Sequence, residues 1–453
     1  MSGISKPYPK MRIPDLKIKH VSSIIVSLVL VSVCVFSANA QRVIDYIDIS
    51  NPFLRKIPIA IPVFRYTPET SPAERIAREM TQVLSQTLEF TGFFKMLNEK
   101  AFLEDLQKTG ITGSSLNFKN WTAIGAELLV TGGINVQNKL VVVELRLFDT
   151  FSGRLLVGKK YKGWHNDIRK IVRRFCNEVI ERLTGNKGFF DSEIVFVSAH
   201  TGHKEIYTSD FDGYNVKQVT KNRSINLAPS WSHDKEWLAY TSYARNKPDL
   251  YIRHMAGKKR GFYVSFKGHN ITPAWHPKRM EFAAALSKPG NSELYLLTRT
   301  GKIIKRLTYD WGIDVSPSWS PDGKKIAFVS NRSGNAHIYI YEIDSGKIKR
   351  LTYEGKYNVS PSWSPKGDRV AFCGRKNDQF DIYVMNVDGS RKMQLTRNSG
   401  NNESPCWSPD GNLIMFCSSR TGKSKIYVMT AYGTDQRQLF SLDGEQFDPN
   451  WSK

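Results

Sequence analysis

Cysteine is scarce in this chain of 453 residues. There are five, and no two stand close enough together to form a metal-ligand pair or to suggest a disulfide framework. Acidic residues are also few, 42 Asp+Glu against 65 Lys+Arg, which leaves a formal net charge of +23. Such a surface favours acidic partners, anionic envelope polymers or nucleic acid, without choosing among them. No apolar run reaches the roughly 20 residues that cross a bilayer. The longest, Val21 to Phe36, has sixteen residues, four of them serine. Signature motifs for chemistry are missing too: there is no G-x-S-x-G elbow, no H-E-x-x-H and no phosphate-binding loop. What remains is globular in composition, with 24% charged and 12% aromatic residues, and the length suits two or three domains.

The short apolar run is informative for its flanks. Lys6, Lys10, Arg12, Lys17 and Lys19 precede it, and Ala38-Asn39-Ala40 follows as a small-residue cleavage site. Basic, apolar and A-x-A regions in that order make a secretory signal, residues 1–40, with cleavage after Ala40; a permanent anchor is the lesser reading. Its removal lowers the net charge from +23 to +19 and places the mature chain outside the cytosol, which argues against nucleic acid as the partner. Four cysteines stay: Cys176, Cys373, Cys406 and Cys417, expected as small buried side chains.

Tryptophans recur at 231, 275, 319, 363, 407 and 451, always 44 residues apart. The surrounding text repeats as APSWSHDK, TPAWHPKR, SPSWSPDG, SPSWSPKG, SPCWSPDG and DPNWSK. Each copy continues into an apolar run, a polar loop, a second apolar run, a Gly-bearing turn and a segment ending near Leu-Thr. Four short strands per 44 residues is the period of a propeller blade. Before the first Trp segment stand three strands without one, and after the last blade stands a Trp segment with nothing following. The two fragments sum to one blade, so the C-terminal strand should close a six-bladed ring over residues 186–453. Strand alternation places the Ser-Pro-Asp-Gly turns on one face. The longer, varied blade-to-blade loops lie on the other, where functional variation belongs.

Residues 56–185 have the texture of a compact α/β domain. Ile57 to Phe64 is a predicted strand. Ser71-Pro72-Ala73-Glu74 reads as a capping box opening a helix with Ile76, Met80, Val83, Leu84 and Leu88 on one face. Leu128–Val136 and Leu140–Phe148 form a predicted hairpin about Asn138-Lys139, with a third strand near Leu155–Lys162. A last helix carries Ile168, Ile171, Val172, Phe175, Val179 and Leu183 and stops at Thr184-Gly185. Residues 41–55 ahead of it have little to tie them down.

Three further groups invite chemistry. Asp210-Phe211-Asp212-Gly213 hints at a calcium loop, but it occupies a hairpin-turn position of the repeat. His200 and His203 lie in an exposed loop. Asn226, Asn270, Asp314, Asn358, Asn402 and Gln446 each stand three residues before a repeat proline and form an expected polar rim to the central tunnel, or else six loop caps. With one carboxylate in six, that rim suits binding rather than acid–base catalysis.

At this point the chain resembles the TolB family, periplasmic propellers of the bacterial Tol-Pal envelope system. The resemblance rests on Trp121-Thr122-Ala123-Ile124-Gly125-Ala126-Glu127 with Val130-Thr131-Gly132, on Leu183-Thr184-Gly185, on Gly188-Phe189-Phe190-Asp191, on Tyr353-Glu354-Gly355-Lys356-Tyr357-Asn358, and on the WSPDG blades. It implies a non-enzymatic interaction protein without cofactor or metal, monomeric and periplasmic, that supports outer-membrane integrity and constriction at division. The tail Gln41-Arg42-Val43-Ile44-Asp45-Tyr46-Ile47-Asp48-Ile49-Ser50 would donate a strand to the C-terminal domain of TolA, or fold onto its own domain. The lipoprotein Pal would dock on the varied face at His269, Asn270, Trp311, Asp314, Val315, Tyr357, Asn358, Asn402 and Glu403. Outer-membrane proteins or anionic polymers are further partners for the basic surface. The other class kept open is a propeller enzyme acting on envelope glycan or peptide.

Overall fold

The computed structural model describes residues 55–68, 70–137 and 140–453. The signal segment, its cleavage site at Ala40, the tail Gln41–Ser50 and the Asn138-Lys139 turn lie outside the described residues.

The N-terminal elements are β1 (Ile57–Ala60), β2 (Arg65–Thr67), α1 (Ser71–Glu89), β3 (Phe94–Met96), α2 (Leu106–Thr109), α3 (Phe118–Ala123), β4 (Leu128–Gln137), β5 (Leu140–Asp149), β6 (Leu155–Trp164) and α4 (Ile168–Thr184). The sheet runs β3-β1-β4-β5-β6, with β2 beside the far end of β4. β1 pairs in parallel with both neighbours and is wholly buried, which suits its unbroken IPIA run. Of the expected strand Ile57–Phe64 only Ile57–Ala60 is strand, and the short β2 lies just beyond it. β4 and β5 form the antiparallel hairpin in unbroken register from Leu128↔Asp149 to Gln137↔Leu140. α4 buries the whole predicted stripe and ends at Gly185, whose left-handed φ of 74° lets its N–H reach Glu181 O at 2.8 Å.

The capping box does not form. Thr70, not Ser71, is the N-cap of α1, and it makes no side-chain cap bond. That shift of one residue puts Glu74 a step too deep to reach back, and it pairs instead with Arg78 one turn on.

Six four-stranded antiparallel sheets follow. Blade 1 joins Glu193–Ser198, Glu205–Asp210 and Lys217–Gln218 to the C-terminal strand Gln446–Trp451. Blades 2 to 6 begin at Asn226, Asn270, Asp314, Tyr357 and Asn402. The closing strand pairs Gln446 with Ser198 and Trp451 with Ile194, and Ser452 exchanges two bonds with Glu193, each 2.8 Å. The ring is closed by backbone pairing, as the split repeat requires.

Each inner strand carries a bulge at the residue before its proline. Ala228, Thr272, Ser316, Ser360, Ser404 and Asp448 all have φ between 46° and 54°. Non-glycine residues held there cost of order 1 kcal/mol or more each. Cross-blade bonds offset part of that cost: Ala228 N–H donates to Asp448 Oδ2 at 3.0 Å and Ser316 N–H to Thr272 Oγ1 at 3.2 Å. The repeat tryptophans wedge between blades. Trp319 and Trp407 donate their indole N–H to Ala274 O and Ser362 O of the preceding blade, both at 3.0 Å. Cys406 stands where other copies have a small residue, usually Ser, and its Sγ accepts from Trp451 N. The four cysteines among the described residues are free and buried, and burial pushes the Cys406 thiol up to about 12.

The α/β elements share one core with blades 1 and 6, in which Phe189, Phe190, Phe211, Phe440 and Trp451 meet α4 and α1. The Asp210–Gly213 turn belongs to this contact. Its carboxylates are engaged by Arg173, at 2.6 Å from Asp210, and by Arg169, which bonds Asp212, so the turn is a hairpin docked on α4.

Candidate functional site

The six residues that head the inner strands do not rim the tunnel. Asn226, Asn270, Asp314, Asn358, Asn402 and Gln446 are between 0% and 2% exposed. The reason is a repeated polar joint between consecutive blades. Asn402 Nδ2 donates to Asp381 Oδ1 at 3.1 Å, and the Thr396 hydroxyl donates to the same oxygen at 2.8 Å. Asn226 donates to Glu205 Oε2 at 3.1 Å beside Thr220, and Asn270 donates to Asp249 Oδ1 at 3.3 Å. Asn358 Nδ2 lies 3.1 Å from His337 Nδ1. Gln446 closes the series through Ile426 N and Leu442 O, each at 3.0 Å. An amide heading one blade is thus consumed by the third strand of the blade before. These six side chains are therefore buried in the joints between blades and do not face solvent.

The same burial divides the expected partner face. Asn270, Asp314, Asn358 and Asn402 are inside and Val315 is half-buried, whereas His269, Trp311, Tyr357 and Glu403 are exposed. Trp311 is 74% exposed and Tyr357 is 43% exposed. Sequence reasoning missed two large neighbours, Tyr309 at 71% and Tyr353 at 68%. Their signal was present in the repeated Arg-Leu-Thr-Tyr. Arg306 stacks over Tyr309 at 4.4 Å and Arg350 over Tyr353 at 5.0 Å, so each ring is steadied by the strand that leads to it. With Ile313, these residues make an aromatic patch across the blade-to-blade loops around blade 4. The tight-turn face is built differently. Ser320 Oγ donates to Asp322 Oδ1, which also accepts Lys324 N–H at 3.0 Å, and the Ser232 and Ser408 turns repeat this closure.

Through the ring runs a cavity of about 430 Å³, walled by the Pro, Ser and Trp residues of the six inner strands. Its wall is electrically uneven. Just outside this wall, partial desolvation and then the nearby Asp448 carboxylate, which does line it, lift the partly exposed Glu403 above the usual carboxylate range. At the tight-turn end, burial and then Lys278 bring the Lys453 ammonium down to about 8. His276 is brought down to about 4, chiefly by burial and then by Arg279, and its Nδ1 accepts the Lys278 and Arg279 N–H groups at 3.1 and 3.0 Å. Among the described residues there is no group of three His, Cys, Asp or Glu side chains placed to hold a metal ion. His200 and His203 sit in the loop between the second and third strands of blade 1, Glu193–Ser198 and Glu205–Asp210.

Fold and face together define a two-part molecule: a closed six-bladed propeller that displays aromatic loops on one side and shares a core with a small α/β sheet. Residues 180–453 match the TolB beta propeller domain and residues 45–156 the TolB amino-terminal domain. The chain belongs to the TolB family. Relatives include the Tol-Pal system protein TolB of Desulfosudis oleivorans, 51% identical over 226 residues, which are 50% of this chain and 51% of that protein. The Tol-Pal system protein TolB of Syntrophus aciditrophicus is 38% identical over 226 residues, 49% of this chain and 50% of that protein. The chain spans about half the length of the curated relatives it matches. The crystal structure of TolB from Acinetobacter baumannii superposes with a TM-score of 0.77 at 24% identity, over 88% of this chain and 97% of that one, and shares its fold.

Proposed function

We propose that this chain is a periplasmic interaction protein of the Tol-Pal system that joins two envelope partners. In this reading residues 1–40 are removed after Ala40, residues 41–55 form a tail, and residues 56–185 and 186–453 are the two domains. The tail, through Gln41–Ser50, donates a strand to the C-terminal domain of TolA. The varied propeller face binds Pal through His269, Trp311, Tyr357 and Glu403, with Tyr309 and Tyr353 added from the exposed patch. The basic surface faces anionic envelope polymers or outer-membrane proteins. The protein works as a monomer, without catalysis or cofactor, in outer-membrane integrity and constriction.

One observation carries this reading. Large aromatic side chains stand exposed on the varied face, Tyr309 and Tyr353 each held under an arginine, which is how a rigid protein-binding hot spot is built. The test is a binding measurement with purified Pal lacking its lipid. Trp311→Ala or Tyr357→Ala should weaken binding by roughly 1–2 kcal/mol or more, whereas Lys324→Ala on the tight-turn face should leave it unchanged. Equal losses from both faces would remove the assignment of the face.

A further inference from the structure

The joint between blades 3 and 4 departs from the pattern of the others. Glu293 heads the third strand and Thr308 supplies the hydroxyl, but the next blade begins with Asp314 where four of the other five junctions have Asn. Both carboxyl groups are 0% exposed. Arg332 Nη2 donates to Asp314 Oδ2 at 2.7 Å, while Asp314 Oδ1 is buried without a hydrogen-bond partner. The Thr308 proton goes to Glu293 Oε2 at 2.6 Å, and its oxygen accepts from Leu294 N at 2.9 Å. The hydroxyls of Thr308 and Ser330 flank Asp314, but neither meets Oδ1 with hydrogen-bond geometry.

This joint lies directly under the Trp311 loop. Asp310 N–H donates to Glu293 Oε1 at 2.8 Å, and Gly312 N–H to Asp310 Oδ1 at 2.9 Å. From the other side Asn291 Nδ2 donates to Asp310 O and Gly312 O at 2.6 and 2.8 Å. Arg332 bridges Asp314 to Asp310, whose Oδ2 is 3.7 Å from Nη1. Gly312 packs so closely that a Cβ there would lie 2.9 Å from Arg332 N.

We propose that Asp314 works as a neutral carboxylic acid and that, with Arg332, it is the positioning pair holding the Trp311 loop in its binding form. The inference rests on the reading that this face binds a partner. Protonation neutralises a buried carboxylate oxygen that no hydrogen-bond donor meets, and so matches the neutral amide that stands at the Asn junctions. Charge agrees. Around the joint Arg332 pairs with Asp314 and Asp310, Arg306 pairs with Glu293, and His337 stands one strand further, opposite Ser330. An ionised Asp314 leaves three carboxylates against two guanidinium groups, and a neutral one leaves two against two. Burial also lifts this carboxyl above the ordinary range, against the opposing pull of Ser330 and Arg332. A raised folded value means that the proton stabilises the joint at low pH, and that this contribution is lost as pH rises through that value.

Asp314→Asn, which gives the residue found at four of the other five junctions, is the test. Amide-exchange protection of residues 310–314 and affinity for lipid-free Pal are followed as pH is raised from the ordinary carboxylate range, about pH 4, to about pH 8. In the native chain protection should fall as pH rises and affinity should drop severalfold, while Asp314→Asn stays flat in both. Arg332→Lys, which cannot bridge both carboxyl groups, should lower protection across the whole range. Parallel protection profiles for the native chain and Asp314→Asn would overturn the proposal. Diverging profiles without Pal binding by either protein would keep the joint and overturn the partner assignment instead.

Discussion

A buried amide and an exposed ring, both expected to serve one surface, have different costs when removed. Asn402 is wholly buried and bonded to Asp381, so Asn402→Ala should destabilise the propeller by about 1–3 kcal/mol through the unpaired acceptors it leaves. Its effect on Pal affinity, compared at a temperature where the variant stays folded, should be small. His269→Ala should do the reverse, weakening binding while the melting temperature hardly moves, because its ring is exposed. His276 offers a pH experiment at the same scale. Its value, lowered to about 4 from 6.5, means that stability is intact above the unfolded value and is lost as pH falls between the two. The other five copies have Ser at this place, as in Ser320 and Ser364. His276→Ser should therefore flatten the acid limb of a stability-against-pH curve, sparing of order 2 kcal/mol near pH 5. An unchanged limb would mean that the ring is wetter than its packing against Trp319 implies.

Elements carry the next set of consequences. The helix stripe of α4 was legible because one face of it meets a single core, whereas β4 and β5 were legible as two apolar runs about a turn, with β4 buried between two cores. β3, α2 and α3 were not anticipated: each is six residues or fewer, too short for a period to emerge. β1 and β3 pair in parallel across 33 intervening residues, a partnership set by where α1 returns the chain. The tail tests function at this scale. Deleting Gln41–Ser50 should abolish binding to the TolA C-terminal domain and leave the melting temperature nearly unchanged, and full binding by the truncated protein would end the strand-donor reading.

For the whole molecule, closure decides stability. The C-terminal strand completes blade 1, and Trp451 stands edge-on to Phe189 at 5.5 Å in the core shared with the α/β elements. Trp451→Ala should cost about 3–5 kcal/mol. It should also lower the unfolding transition of the α/β elements together with that of the propeller, because the two share that core. Separate transitions in calorimetry, with only one of them moved, would show the two to be thermodynamically independent.

Composition and a 44-residue period determined the ring, its number of blades and the way it closes, because a four-stranded unit repeated at fixed spacing has few ways to bury its faces. The same text also marked which loops vary. Whether the residue at the head of each inner strand faces the channel or the preceding blade was beyond it. Asn402 and Glu403 are neighbours in sequence, yet one is buried in a joint and the other is exposed. Only the packing of one blade on the next supplies the acceptors that draw the amides inward. The joint that gathers Glu293, Thr308 and Asp314 was decided in the same way, by blade packing, whereas the Arg–Tyr stacks are local, between residues three apart in the repeated Arg-Leu-Thr-Tyr.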